Sequence, residues 1–187
     1  MAHAVKHLHD QNVAHLDLKP GNILLDQYFN MKIADLGCAT DCSETAMIDH
    51  RKGTKSFMAP EILYLTDGET YDPLKADVYS LGVTLYLMLT GENPKVSENS
   101  ASTNGNSSFD DDMFDVGHSS CKANCYDMGF PDSLADLLSG MLAWDPEKRY
   151  SIDDVINHPW TTSEFSSDIA CQAYTELSTK KGMSSQF

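Results

Sequence analysis

The sequence predicts an α+β fold, predominantly α, in which a small β-ribbon is attached to a helical body. Three observations carry this. Between Asp77 and Thr90 the apolar residues Val78, Leu81, Leu85, Met88 and Leu89 recur at helical spacing, and Gly91 follows as a stop. Two short apolar runs, Ile23-Leu24-Leu25 and Met31-Lys32-Ile33-Ala34, flank the polar stretch Asp26 to Asn30, the pattern of a two-stranded ribbon. Helix-start signals recur near Pro60, Asp132 and Ser151.

Taken in order, Met1 to His9 reads as the end of a helix, with Val5 and Leu8 on one face and no cap at its start. The ribbon comes next. Residues 38–57 are polar and without period, bounded by Gly37 and Gly53, and are expected to form a long loop. A short helix runs from Pro60 through Leu63. The helix over Asp77–Thr90 is apolar almost all round, so it is expected to be buried as a central pillar. Val96 to Ser108 is rich in Ser and Asn and reads as a flexible insertion, extending to about 97–128. Asp132 opens a helix through Leu142. Ser151 caps another through Ile156, with Asp154 as its capping-box acid. From Thr161 the chain turns rich in Ser and Thr, with a further helix possible in composition around Ile169, Ala173 and Leu177. The domain organisation is thus one folded unit over 1–160 and a tail over 161–187.

With 41% hydrophobic residues in 187, the chain can bury a real core. The net charge of −15, from 13 basic against 28 acidic side chains, argues against nucleic acid or an anionic membrane as partner. Eight acids against Lys122 alone between 97 and 136 give a local −7, nearly half the excess. No apolar leader opens the sequence, and the longest apolar stretch, Leu81 to Leu89, is too short to span a bilayer. Five cysteines in such a composition point to a reduced, intracellular protein, cytoplasmic or nuclear. Cys38/Cys42 and Cys121/Cys125 have spacings compatible with zinc, with His50 or His118 as further ligands, but their Ser, Asn and Asp flanks read as solvated loop.

The chemistry concentrates in Val13-Ala14-His15-Leu16-Asp17-Leu18-Lys19-Pro20-Gly21-Asn22-Ile23-Leu24-Leu25. An Asp, a Lys two residues on and an Asn five residues on share one turn leading into an apolar strand. Ten residues after that strand comes Asp35-Leu36-Gly37. Two oxygen ligands at neighbouring hairpin ends suit a hard divalent cation holding phosphates. Asp17 and Lys19 are then left to face a nucleophile and a transferring phosphoryl group.

These segments resemble the catalytic loop and the metal loop of eukaryotic-type serine/threonine protein kinases, H-R-D-x-K-x-x-N and D-F-G. The resemblance continues in order. Gly53-Thr54-Lys55-Ser56-Phe57-Met58-Ala59-Pro60-Glu61 is similar to the end of an activation segment. Asp77-Val78-Tyr79-Ser80-Leu81-Gly82 is similar to the start of the family's central helix. Trp144-Asp145-Pro146-Glu147-Lys148-Arg149-Tyr150 and His158-Pro159-Trp160 are similar to its last blocks, the latter found in the calcium/calmodulin-dependent-kinase-like group. The resemblance implies transfer of the ATP γ-phosphate to Ser or Thr hydroxyls of protein substrates. It implies that Asp17 orients the acceptor hydroxyl, Lys19 neutralises the phosphoryl group, and Asn22 and Asp35 bind Mg²⁺. Thr54 would brace Asp17 and Lys19, and Leu24 would floor the adenine. His15 and Leu36 would belong to a packed column, Glu61 and Arg149 would form a buried ion pair, and Asp77 would accept backbone N–H groups of the catalytic loop.

The departures matter as much. A kinase domain commonly needs about 250 residues in two lobes, and no two of the eleven glycines are two apart, so no G-x-G-x-x-G exists here. The expectation is therefore a kinase C-lobe with its ATP-gripping N-lobe absent, or alternatively a kinase-derived interaction module without catalysis. Ala4-Val5-Lys6 imitates the family's ATP-gripping lysine motif but lies only eleven residues before Asp17, so Lys6 reads as a solvated helix residue. Gly21 stands where kinases preferring basic substrates often carry Glu, and Phe57 stands for Tyr. Cys38, just after the metal loop, reads as a buried inert thiol. With only Lys180 and Lys181, the tail is a poor basic amphipathic helix, which argues against a calmodulin target.

Leu16 replaces the arginine that ordinarily pairs with a phosphorylated activation-loop residue. Phosphorylation of Thr40, Ser43 or Thr45 is therefore expected not to switch activity through this position. A phosphorylation-dependent gain that is no larger after Leu16→Arg contradicts this.

Overall fold

A computed structural model describes residues 1–44, 47–94 and 128–163, with Gln172, Thr175, Glu176, Leu177 and Thr179. The insertion at 97–127 and nearly all of the tail lie outside the described residues, as do Thr45, Ile169 and Ala173.

The centre is the helix Pro73–Thr90, here α3, after α1 (Ala2–Asp10) and α2 (Pro60–Leu63). From Ala76 to Thr84 every residue of α3 is buried. That is the outcome of an apolar surface running all round the helix, which needs partners on every side. α3 begins four residues before the start expected from periodicity. The Asp72 side chain accepts hydrogen bonds from Leu74 N (2.9 Å) and Lys75 N (3.3 Å), and Pro73 occupies the first turn, where its missing N–H costs nothing. The helix ends at Gly91, whose φ of 78° is readily adopted only without a Cβ.

Two apolar clusters wrap α3. One joins α2 and the loop before α3 (Ile62, Leu65, Tyr71) to Tyr79, Val83 and Tyr86. The other joins Val5 of α1 to Val78 and Leu81 of α3. It continues through Leu137 and Met141 of α4 (Asp132–Met141) to Ile152 and Val155 of α5 (Ile152–Asn157). The capping box at Ser151 forms as the sequence predicts: Ser151 Oγ accepts from Asp154 N, and Asp154 Oδ2 accepts from Ser151 N at 2.8 Å. A single turn, α6 (Pro159–Thr162), follows, with the ring Nδ1 of His158 accepting from Trp160 N. Among the described residues no helix is long and apolar enough to cross a membrane.

The β structure is two antiparallel pairs. β2 (Ile23–Leu25) and β3 (Met31–Ile33) form the expected ribbon, with Ile23 opposite Ile33 and Leu25 opposite Met31. β1 (Val13–Ala14) pairs with β4 (Thr40–Asp41), which corrects the reading of 38–57 as loop throughout. A two-residue strand has no period to detect, and this one exists only through a partner 26 to 28 positions away in sequence. Lys6 is likewise more than a solvated residue: its ammonium bridges Asp10 at 2.7 Å and Asp153 of α5 at 2.9 Å.

Arg149 ties the lower body together. Its guanidinium, fully buried, donates to both Glu61 oxygens (2.6 and 2.8 Å) and to the carbonyls of Lys75, Ala143 and Trp144 (3.0, 3.0 and 3.2 Å). It also lies 5.0 Å over the Tyr79 ring. This planar fork uses its donors in directions an ammonium cannot reproduce. Glu61→Ala is expected to lower the free energy of unfolding by about 3–5 kcal/mol, since it strands a buried cation. Arg149→Lys is expected to restore little of an Arg149→Ala loss. Urea unfolding checks both, and a loss under about 1 kcal/mol, the size of a surface ion pair, contradicts the assignment.

Candidate active site

The site begins with how α3 holds the turn between β1 and β2. Asp77 is 0% exposed, and its carboxylate accepts from His15 N and Leu16 N, both at 2.7 Å. His9 Nε2 of α1 lies 3.0 Å from the same group. Leu16 is thereby held at φ 62°, a left-handed conformation costly for a residue with a Cβ. Its carbonyl faces Gly53, which at φ 102° has no room for a Cβ against Leu16 O. Thr84 Oγ1 of α3 donates to Leu18 O at 3.2 Å, so α3 grips the turn on both sides of Asp17.

His15 is fully buried and acts as a strut. Its Nδ1 accepts from Asp17 N at 3.2 Å, which leaves Nε2–H to donate to Ala34 O at 3.1 Å. Ala34 N in turn donates to Asn22 O at 2.9 Å. The end of β3, and with it Asp35, is therefore fixed against the start of β2.

Four side chains meet above this base. Thr54 Oγ1 donates to Asp17 Oδ1 at 2.6 Å and accepts from Lys19 Nζ at 2.7 Å. Lys19 Nζ also lies 2.9 Å from Asp17 Oδ2. Asn22 Nδ2 donates to Asp17 O (2.9 Å) and Asp17 Oδ2 (3.1 Å). Burial pushes the Asp17 carboxyl up, but the hydrogen bonds from Thr54, Lys19 and Asn22 and the Lys19 charge outweigh it and hold it below the usual carboxylate range. The hydrogen bond to Asp17 raises Lys19, with smaller support from the charge of Asp35. Both ions are thus held charged.

Asp35 itself is exposed at φ 63°, with Oδ1 accepting from Gly37 N at 3.2 Å. It neighbours the cluster through the backbone and the field at Lys19 rather than by a hydrogen bond to Asp17. Leu24 and Leu36 are 56% and 59% exposed, and Leu25, Tyr28 and Met31 of the ribbon are exposed as well. Glu61 and Arg149 lie together as the expected buried ion pair and make no hydrogen bond or ion pair with this cluster among the described residues. Sequence reasoning missed His9 as the third contact of Asp77 and Lys52, whose ammonium donates to Thr40 Oγ1 at 2.7 Å. Neither carries a local signal: His9 lies 68 positions from its partner.

Because the folded Asp17 value lies below the unfolded one, its contribution to stability is present above the ordinary value of 3.8 and is lost as pH falls through the folded value. The difference in unfolding free energy between the native chain and Asp17→Asn is expected to be constant down to about pH 5 and to shrink below about pH 4. Urea titrations at stepped pH read this, and a difference that grows on acidification contradicts it.

Residues 1–161 match the family model for the protein kinase domain. The chain is 36% identical over 163 residues to the ovarian-specific serine/threonine-protein kinase Lok of Drosophila melanogaster, covering 86% of this chain and 32% of that protein. It is 33% identical over 170 residues to the serine/threonine-protein kinase chk1 of Schizosaccharomyces pombe, covering 85% of this chain and 30% of that protein. The chain spans between 16% and 33% of the length of the curated relatives it matches. A turn strapped to a buried helix by Asp77, with Asp17 held by Lys19, Asn22 and Thr54, accompanies a family match over residues 1–161, and on that ground the chain belongs to the protein kinase family, of the eukaryotic serine/threonine type.

Proposed function

We propose that this chain supplies the substrate- and metal-holding C-terminal lobe of a serine/threonine protein kinase that moves the ATP γ-phosphate to Ser or Thr hydroxyls of proteins. The observation that carries the reading is the Thr54 hydroxyl bridging the Asp17 carboxylate and the Lys19 ammonium at 2.6 and 2.7 Å. That bridge sets an acceptor and a cation side by side, already oriented. Preorganised charge of this kind is what phosphoryl transfer asks of a protein, since little covalent chemistry is involved.

Asp17 orients the acceptor hydroxyl and takes its proton. A carboxylate held below its usual range is a weak base, so orientation leads and proton transfer comes late, as a loose transition state allows. Lys19 balances charge on the moving phosphoryl group. Asn22 has both Nδ2 hydrogens committed to Asp17, so what it can offer is its Oδ1. Asp35 offers a carboxylate. This all-oxygen pair fits Mg²⁺, which would supply charge neutralisation at the phosphates. Leu24 would floor the adenine, with His15 and Leu36 in the column beside it.

The exposed apolar side chains of Leu24 and Leu36 support a second lobe over that patch, because protein surfaces seldom leave such groups open. The 187 residues hold no glycine-rich phosphate loop, so that lobe would bring it. The same patch also favours a second reading, an interaction module that binds partners without phosphorylating them.

Transfer from radiolabelled ATP to Ser/Thr and Tyr peptides separates these readings, using both the 187 residues and the longest native polypeptide that contains them. The longer polypeptide is expected to label Ser and Thr only, and Asp17→Asn to lower the rate by about 10²–10⁴-fold. Labelling confined to Tyr, or a rate indifferent to Asp17→Asn, overturns the assignment. Robust turnover by the 187 residues alone overturns the second lobe, and binding without turnover in both favours the interaction module.

A further inference from the structure

Against α2 lies a groove of about 670 Å³ lined by Glu61, Tyr64, Leu65, Glu69, Trp144 and Asp145 among others. Its floor is aromatic: the Tyr64 and Trp144 rings lie 5.6 Å apart, tilted by 32°, and Tyr64 is 50% exposed. Three of its lining residues are acids and none is Lys or Arg. Of the three, Glu61 is committed to Arg149 through both oxygens. Glu69 accepts from Thr66 N at 2.9 Å through Oε2. Asp145 accepts from Glu147 N at 3.0 Å through Oδ1, with Lys148 3.5 Å from Oδ2. Each carboxylate oxygen has two lone-pair directions, so Glu69 and Asp145 can still accept from a ligand. Gly68, at φ 86° with open space around it, keeps the lip between Leu65 and Glu69 low.

We propose that this groove is a docking subsite for an arginine side chain of a partner polypeptide. The chemistry selects the occupant. A guanidinium stacks flat on aromatic faces and forks onto a carboxylate, and its weak hydration lets it leave water more easily than an ammonium. An apolar side chain would leave the acids facing it, and an anionic one would be repelled by them. Pro60 and Glu61 of the lining open α2, with two residues between them and the turn Lys55–Phe57. A segment anchored here is therefore tethered beside the end of the loop that carries Thr54. The subsite does not rest on phosphotransfer and can be tested by binding alone.

The probe is a fluorescein-labelled twelve-residue peptide of repeating Arg-Ser-Gly, with its Lys-Ser-Gly counterpart, titrated by anisotropy at about 150 mM salt, where diffuse attraction to a chain of net −15 is screened within about 8 Å. Tyr64→Ala and Glu69→Gln are each expected to weaken the arginine peptide about tenfold, with far-UV circular dichroism unchanged. Glu92→Gln removes one charge beyond the far end of α3, about 27 Å along the helix, and is expected to have no effect. The arginine peptide is expected to bind severalfold tighter than the lysine one. Equal loss in Glu92→Gln, no loss in Tyr64→Ala and Glu69→Gln, or equal binding of the two peptides overturns the proposal. Glu69→Gln lies on an exposed loop and keeps the test decisive if Tyr64→Ala perturbs folding.

Discussion

A single buried carboxylate organises this molecule. Asp77 sits on the central helix with no solvent around it and accepts two backbone amides from the turn that carries Asp17. An uncompensated charge at that depth is very costly, so the amides and His9 cannot leave without leaving it unpaired. That cost is what allows Leu16 to stay at a positive φ. Strained backbone persists only where its surroundings over-determine it, and here α3, α1 and Gly53 all do. The helix is thus more than filler for the core. It is the frame from which the turn carrying Asp17 hangs.

Above that frame the charges are arranged so that none has to move. Asp17, Lys19, Thr54 and Asn22 satisfy one another through short hydrogen bonds, and His15 fixes the neighbouring end of β3 in a single tautomer. In water such an ion pair would be worth little. Partly shielded and held by a hydroxyl, it presents a fixed field to whatever binds beside it. Asp35 differs in kind, exposed and held mainly by its own turn.

The lower body shows the same logic with a cation. Arg149 draws Glu61 of α2, the start of α3 and the Ala143–Trp144 turn to one point. Doing so turns Glu61 inward and sets Tyr64, one helical turn along, against Trp144. The groove beside α2 is therefore a consequence of the ion pair: the pair fixes both walls. A short segment, 54–64, joins the Asp17 cluster to the groove, held at Thr54 by Asp17 and at Glu61 by Arg149.

The sequence by itself determined the local parts. Periodicity marked the α3 core, alternation with a polar break marked the β2–β3 ribbon, and the Ser151–Asp154 spacing marked the start of α5, because each of these signals is written within a few residues. The short turn from Asp17 to Asn22 is local in the same sense, whereas Thr54 joins it from 37 positions away. What tertiary structure alone decided are relations between distant segments. These are the pairing of β4 with β1, the reach of Lys6 to Asp153, the closing of His9 on Asp77 and the meeting of Tyr64 with Trp144. None of these pairs has a spacing that a helix or strand repeats. Their energy comes from burial and charge compensation once the chain has closed on itself, and one-dimensional pattern carries no record of that closure.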